Sequence, residues 1–363
     1  MNLTYFLWIA LSVLGGISVC FLFVQGGATA VRTLTRDEAV RQRLSREFSA
    51  LWLWPVVSFA AFAGLLCVAF PAYFRVGVCG AWGLWTLLGL GYFFSMLGSW
   101  ADCSGKSRWI QSAGRSMRML GGIMTPLLLG VWMGTFFSGG AYLAGTAEAA
   151  DGMQTVVKTI WLGEAHGLEA FFSIDNLMLG AAMLYLARIL SMLFVLREDP
   201  GMEIVQRIRS LLLTEMVIFL VFFLAFIVRL CMRVGLTVDE ASGMFQPMVG
   251  KFLQNIVEQP LVLVFMPGGL ILILTGIFRT IFFRALQEGF FLVGGGMMLT
   301  FGMLLLVAGG DHSSFFPSTL EWQHSLTLTM ASASDGLVAA ALLGGILLIA
   351  FFLYKFRKIG GRA

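Results

Sequence analysis

Residues 211–232 read Leu-Leu-Leu-Thr-Glu-Met-Val-Ile-Phe-Leu-Val-Phe-Phe-Leu-Ala-Phe-Ile-Val-Arg-Leu-Cys-Met, with Glu215 and Arg229 as the charged members. A helix needs about 20 residues to cross ~30 Å of hydrocarbon, so this stretch is long enough to span a bilayer and too apolar to lie on a soluble surface. Eight further stretches share its character, at about 4–24, 50–72, 76–98, 119–142, 173–196, 259–281, 288–309 and 334–354. Inside lipid the backbone must satisfy its own polar groups, and at these lengths the helix does so. The expected fold is an all-α integral membrane protein with nine transmembrane helices.

Composition agrees. Of 363 residues, 58% are hydrophobic and 12% charged, with a mean hydropathy of +0.87, against about 25% charged in a soluble domain. The connections sort by charge. The first holds Arg32, Arg36, Arg41, Arg43 and Arg46, the third Lys106, Arg108, Arg115 and Arg118, the fifth Arg197, Arg207 and Arg209, and the seventh Arg279 and Arg284. With Lys355, Arg357, Lys358 and Arg362 in the tail, 18 of the 24 basic residues fall on one side. The positive-inside rule then puts the N-terminus outside and the C-terminus in the cytoplasm. The net charge of +4 is spread over short loops that set topology and meet anionic lipid head groups, which argues against a nucleic-acid partner.

No Lys or Arg precedes the first apolar stretch and no small-residue cleavage signal follows it, so it is expected to stay as the first helix. The five cysteines show no C-x-x-C spacing and indicate neither a disulfide framework nor a zinc site. No phosphate-cradling loop, dinucleotide fingerprint or Ser/His/Asp arrangement is present, which removes nucleotide and hydrolytic chemistry.

An ionisable residue inside a span is costly and becomes a candidate by default. Arg188 and Glu215 qualify, offset by about 7 Å along antiparallel helices, a gap that an arginine can reach across. Three readings stay open: a structural ion pair locking two helices, a proton or quinol-headgroup site, or no pairing. His166, His312 and His324 all fall in outward connections, so histidine ligation of a haem at depth is not expected. The 20 methionines read as packing.

Asp335 opens the last span and suits a helix N-cap. Gly130 and Gly134 form a G-x-x-x-G face, with Pro126 one turn earlier to bend it. Pro267-Gly268-Gly269 and Gly294-Gly295-Gly296 could mark broken helices around a transported substrate. The long outward connections 143–172 and 233–258, around Ile160, Trp161, Leu168, Phe171 and Phe172, suggest interfacial helices or a partner contact.

The run Pro126-Leu127-Leu128-Leu129-Gly130-Val131-Trp132-Met133-Gly134 resembles the P-x-x-x-G-x-x-x-G segment of subunit II of the cytochrome bd quinol oxidases, with Thr135 where that family often has Asn. Phe316-Pro317-Ser318, Ser325-Leu326-Thr327 and Ala331-Ser332-Ala333-Ser334 are similar to the family's blocks before its last helix. Leu34-Thr35-Arg36, Trp52 and Phe70-Pro71 fit in spacing, whereas residues 143 to 255 match in hydropathy alone. Two departures stand out. Gln25-Gly26-Gly27-Ala28 replaces the family's D-G-F-D, and Leu51-Trp52-Leu53-Trp54-Pro55 keeps only the tryptophan of H-W-D-G-N. Acids of a cytoplasmic proton path are thus absent at Gln25, Ala28 and Leu53.

The resemblance implies two four-helix bundles, 1–142 and 173–309, plus one peripheral helix in 334–363. It implies a subunit that binds no cofactor and catalyses nothing alone. Haem b, haem d and quinol oxidation would reside with a haem-bearing subunit I in a prokaryotic plasma membrane, in contact with lipid and the quinone pool. A small accessory subunit is a further partner left open. Two alternatives remain beside this reading: a structural subunit of another quinone-linked redox complex, and a secondary transporter.

Overall fold

A computed structural model describes residues 3–70, 74–104, 107–139, 142–148, 155–161, 164–197, 201–238, 245–283, 286–308 and 344. The described helices are α1 (Leu3–Phe21), α2 (Phe23–Leu34), α3 (Glu38–Ala50), α4 (Leu53–Ala69), α5 (Trp82–Ser104), α6 (Arg108–Ser138), α7 (Ile174–Arg197), α8 (Met202–Met232), α9 (Lys251–Glu258), α10 (Pro260–Phe282) and α11 (Leu286–Ala308). They supply eight segments long and apolar enough to cross a membrane, α1 with α2 and α3 with α4 each running on as one. The chain is an all-α integral membrane protein. The ninth expected span, 334–354, and Asp335 at its start lie outside the described residues.

Several helices outlast their apolar stretches. α6 begins at Arg108 rather than near residue 119, α8 at Met202 rather than 211, and α2 carries Arg32. Arg115, Arg118, Arg207 and Arg209 therefore sit on helical turns, not in loops. Nothing in a basic, non-proline sequence stops a helix already nucleated in lipid, and Ser107 caps α6 by accepting from the Trp109 amide at 3.3 Å. At the other end Gly139, with φ of 75°, stops α6 in a conformation that suits glycine.

The connections 142–172 and 233–258 combine hairpins with short helices. β1 (Tyr142–Glu148) pairs antiparallel with β2 (Thr155–Trp161), and β3 (Val234–Val238) pairs with β4 (Phe245–Val249). The β-branched run Thr155-Val156-Val157, with Thr159 and Ile160, favours a strand where lipid no longer enforces the helix. Leu168–Phe172 forms a single 3-10 helix with Phe172 largely exposed, and α9 supplies one short helix after the second hairpin.

α7 is the centre of the molecule. It packs against α2, α6, α8 and α11, and Leu179, Ala182, Met183, Leu186, Ile189 and Leu190 have no exposed surface. Apolar contact with lipid is no worse than with leucine, so close packing holds such helices together. Gly26 of α2 illustrates it: a Cβ there would lie 2.5 Å from the Ala187 carbonyl of α7.

α10 and α11 correct the broken-helix expectation. Both are continuous, α10 through Pro267 and α11 through its glycine triplet. A Cβ on Gly269 would lie 2.8 Å from the Gly296 carbonyl, and one on Gly296 2.5 Å from that of Gly269. Here Gly269 and Gly296 serve close helix contact.

Candidate functional site

Arg188 and Glu215 come together. The Arg188 Nε donates to both carboxylate oxygens at 2.9 Å, and Nη2 donates to Oε1. The fork joins α7 to α8 with Glu215 buried. Such a two-point guanidinium–carboxylate contact fixes both side chains as well as neutralising them.

Gly130 and Gly134 lie where α6 crosses α7. A Cβ on Gly130 would stand 2.5 Å from the Gly180 Cα, and one on Gly134 2.8 Å from the Asn176 Cα. Pro126 is buried one turn before and α6 runs through it. Asn176 is itself fixed by donating to the Ala170 carbonyl at 3.0 Å.

The basic end of the molecule holds a cavity of about 410 Å³ between α2, α3, α5 and α6. Two of the three departures from the family pattern face it, Gln25 and Ala28, together with Trp52. Leu53 does not line it and is half exposed. Gln25 is buried, and its Oε1 accepts no hydrogen bond. Tyr92 of α5 donates its hydroxyl to the Trp52 carbonyl, tying α5 to the start of α4.

Behind this cavity lies a charge network that the apolar pattern does not reveal. Arg118 Nη1 meets Asp102 Oδ2 at 3.2 Å, Arg115 stands 4.0 Å from Oδ1 of the same residue and pairs with Glu38, and Glu38 meets Arg41 at 3.3 Å. Asp102 and Arg118 are both buried. A usable signal was their glycines: Gly98 and Gly114 each precede a charged partner by one helical turn. A Cβ on Gly98 would lie 2.4 Å from the Arg118 amide and one on Gly114 2.7 Å from that of Asp102. The bare backbones let α5 and α6 approach until the acid and base meet.

At the opposite end Asp175 accepts from both Arg229 and Arg233, so Arg229 is satisfied at the end of its span. Toward the basic end Arg209 reaches the Thr280 carbonyl from Nε and Nη2, each at 3.2 Å, and links α8 to α10. His166 sits at φ of 44° in the connection before α7, its ring 5.1 Å from that of Trp82. His312 and His324 lie outside the described residues.

These features define a polytopic helical membrane subunit, closely packed through small residues and locked by buried ion pairs. The family model described as cytochrome bd terminal oxidase subunit II matches residues 3–357, and the chain belongs to that family. The family places it in an oxidoreductase complex that uses haems and quinol. A solved structure described as the bd oxidase from Geobacillus thermodenitrificans is similar over 98% of this chain and 99% of that one, with a TM-score of 0.56 and 14% identity. At that identity the likeness is one of fold. A search of curated protein sequences gives no match.

Proposed function

We propose that this chain is the haem-free, subunit II-like member of a bd-type quinol:oxygen oxidoreductase, supporting a haem-bearing subunit I that oxidises quinol and reduces oxygen. The observation that carries this reading is the family match over residues 3–357. The half-buried pair Arg188–Glu215 and the buried pair Asp102–Arg118 support a role in holding helices rather than in redox chemistry. The bias of basic residues supports a cytoplasmic C-terminus and an external N-terminus in a prokaryotic plasma membrane. Two four-helix bundles, 1–142 and 173–309, with the last helix peripheral, complete the proposed organisation, and α6 against α7 is then a seam between them.

The test is purification through a tag on this chain in mild detergent, followed by a reduced-minus-oxidised spectrum and the masses of co-purifying subunits. A haem-bearing partner with b- and d-type bands is the expected result. A preparation without haem overturns the assignment to an oxidase.

A further inference from the structure

We propose that the cavity between α2, α3, α5 and α6 is a binding site for the head group of an anionic phospholipid, one whose head group carries hydroxyls. Its volume of about 410 Å³ suits a head group and the start of an acyl chain. Charge, hydrogen-bonding sense and the character of the mouth each select that ligand.

Charge comes first. Arg46 lines the cavity at its exposed rim, with no carboxylate within 4 Å among the described residues. In the network behind the cavity the carboxylates of Glu38 and Asp102 are shared among the guanidiniums of Arg41, Arg115 and Arg118, and the cavity wall adds Arg46, which meets neither acid. The surplus is positive, and a phosphate is the group an uncommitted arginine binds best.

Hydrogen-bonding sense comes second. Gln25 is 3% exposed, and its Oε1 has no donor. The hydroxyls of Ser45, Ser49 and Ser99 donate to carbonyls one turn back on their own helices, those of Arg41, Ser45 and Ser95. The serine hydroxyls among the lining residues have thus spent their protons and are left as acceptors. Acceptors beside the arginines suit a ligand that donates hydroxyl protons as well as carrying a phosphate, which a glycerol-type head group does and a choline head group does not.

The mouth comes third. Trp52, Met96 and Trp100 line the cavity and are 40%, 47% and 66% exposed. Met96 and Trp100 belong to a helix long and apolar enough to cross a membrane, and tryptophan favours the head-group level, which points the opening toward lipid. A ligand entering there arrives from the bilayer rather than from water.

The inference stands on this chain's own cavity and does not depend on the oxidase assignment, because its readout is bound lipid rather than turnover. The assembly is purified intact through a tag on this chain, washed in detergent, and its residual phospholipid measured by mass spectrometry. It is then reloaded with phosphatidylglycerol, phosphatidylcholine or inorganic phosphate. Phosphatidylglycerol is expected to be retained in preference to phosphatidylcholine, and phosphate alone is expected not to displace it. Arg46→Gln and Gln25→Glu should each weaken retention about tenfold, the scale of one charge-assisted contact. Arg43→Gln, next to the site on α3 and paired with Glu47, should leave retention unchanged. Arg46 is exposed, so its variant tests the site without threatening the fold. Equal retention of the two lipids, retention indifferent to both substitutions, displacement by phosphate, or a neutral quinone in the lipid's place would each overturn the proposal.

Discussion

Arg188 on α7 and Glu215 on α8 form a two-point contact, with Nε 2.9 Å from each carboxylate oxygen and Glu215 only 5% exposed. Removing one partner of a buried pair strands the other, at a cost of about 3–5 kcal/mol. Arg188→Ala should therefore lower the yield and thermal midpoint of the assembled complex, with turnover per assembled haem little changed. The paired replacement Arg188→Leu with Glu215→Leu should recover much of that loss. Thermal unfolding followed beside oxygen consumption checks both, and normal assembly with lost turnover would contradict the scaffold role.

The α6–α7 crossing makes a second, purely steric prediction. A Cβ on Gly130 would stand 2.5 Å from the Gly180 Cα, whereas one on Gly268 would meet nothing within 4 Å. Gly130→Ala should cost about 1–3 kcal/mol, as forced overpacking does, and Gly268→Ala should be neutral or slightly stabilising through helix propensity. Parallel denaturation curves of the two variants separate contact from propensity.

Asp102 and Arg118 should behave unlike the charges around them. Both are buried, at 3.2 Å, so Asp102→Asn should destabilise the basic end by a few kcal/mol, on the order of a broken buried pair, and by a similar amount in low and high salt. Arg43→Gln breaks an exposed contact of 3.5 Å with Glu47 and should stay within about 1 kcal/mol, shrinking further with salt. Thermal midpoints at two ionic strengths give the comparison.

Hydropathy made the spans legible because lipid imposes one requirement on every residue of a crossing helix. The Arg188–Glu215 pairing was legible for the same reason, since a charge at depth needs a partner. Beyond the hydrocarbon that requirement lapses. The helical extensions carrying Arg118 and Arg209, and the two hairpins, depend on capping, β-branching and tertiary contact, which hydropathy does not encode. Asp102 was passed over because it sits four residues beyond the expected end of its span at residue 98. Its burial follows from Gly98 and Gly114, whose meaning emerges only when α5 and α6 are seen to cross. The cavity combines α2 and α3 with α5 and α6, an association that no local pattern announces.

The two acid positions where the chain departs most plainly from its family are not equivalent in space, and this yields a last prediction. Ala28 is buried, faces the cavity, and shares that wall with Arg46 and with Arg118, which already pairs with Asp102, so an aspartate there would find free volume in a wall of positive charge. Leu53 is 51% exposed at the start of α4 and outside the cavity lining, where a carboxylate would have none of the cavity's arginines beside it, at a cost below the ~3 kcal/mol of a charge at a helix centre. Ala28→Asp should therefore assemble at close to the unsubstituted yield, while Leu53→Asp should lose a substantial share of its complex. Equal loss in both would mean that Gly122, whose added Cβ would lie 2.8 Å from the Ala28 Cβ, already leaves α2 no room to accept a larger side chain. Fluorescence-detected size-exclusion chromatography of tagged variants, read at matched expression, distinguishes these outcomes.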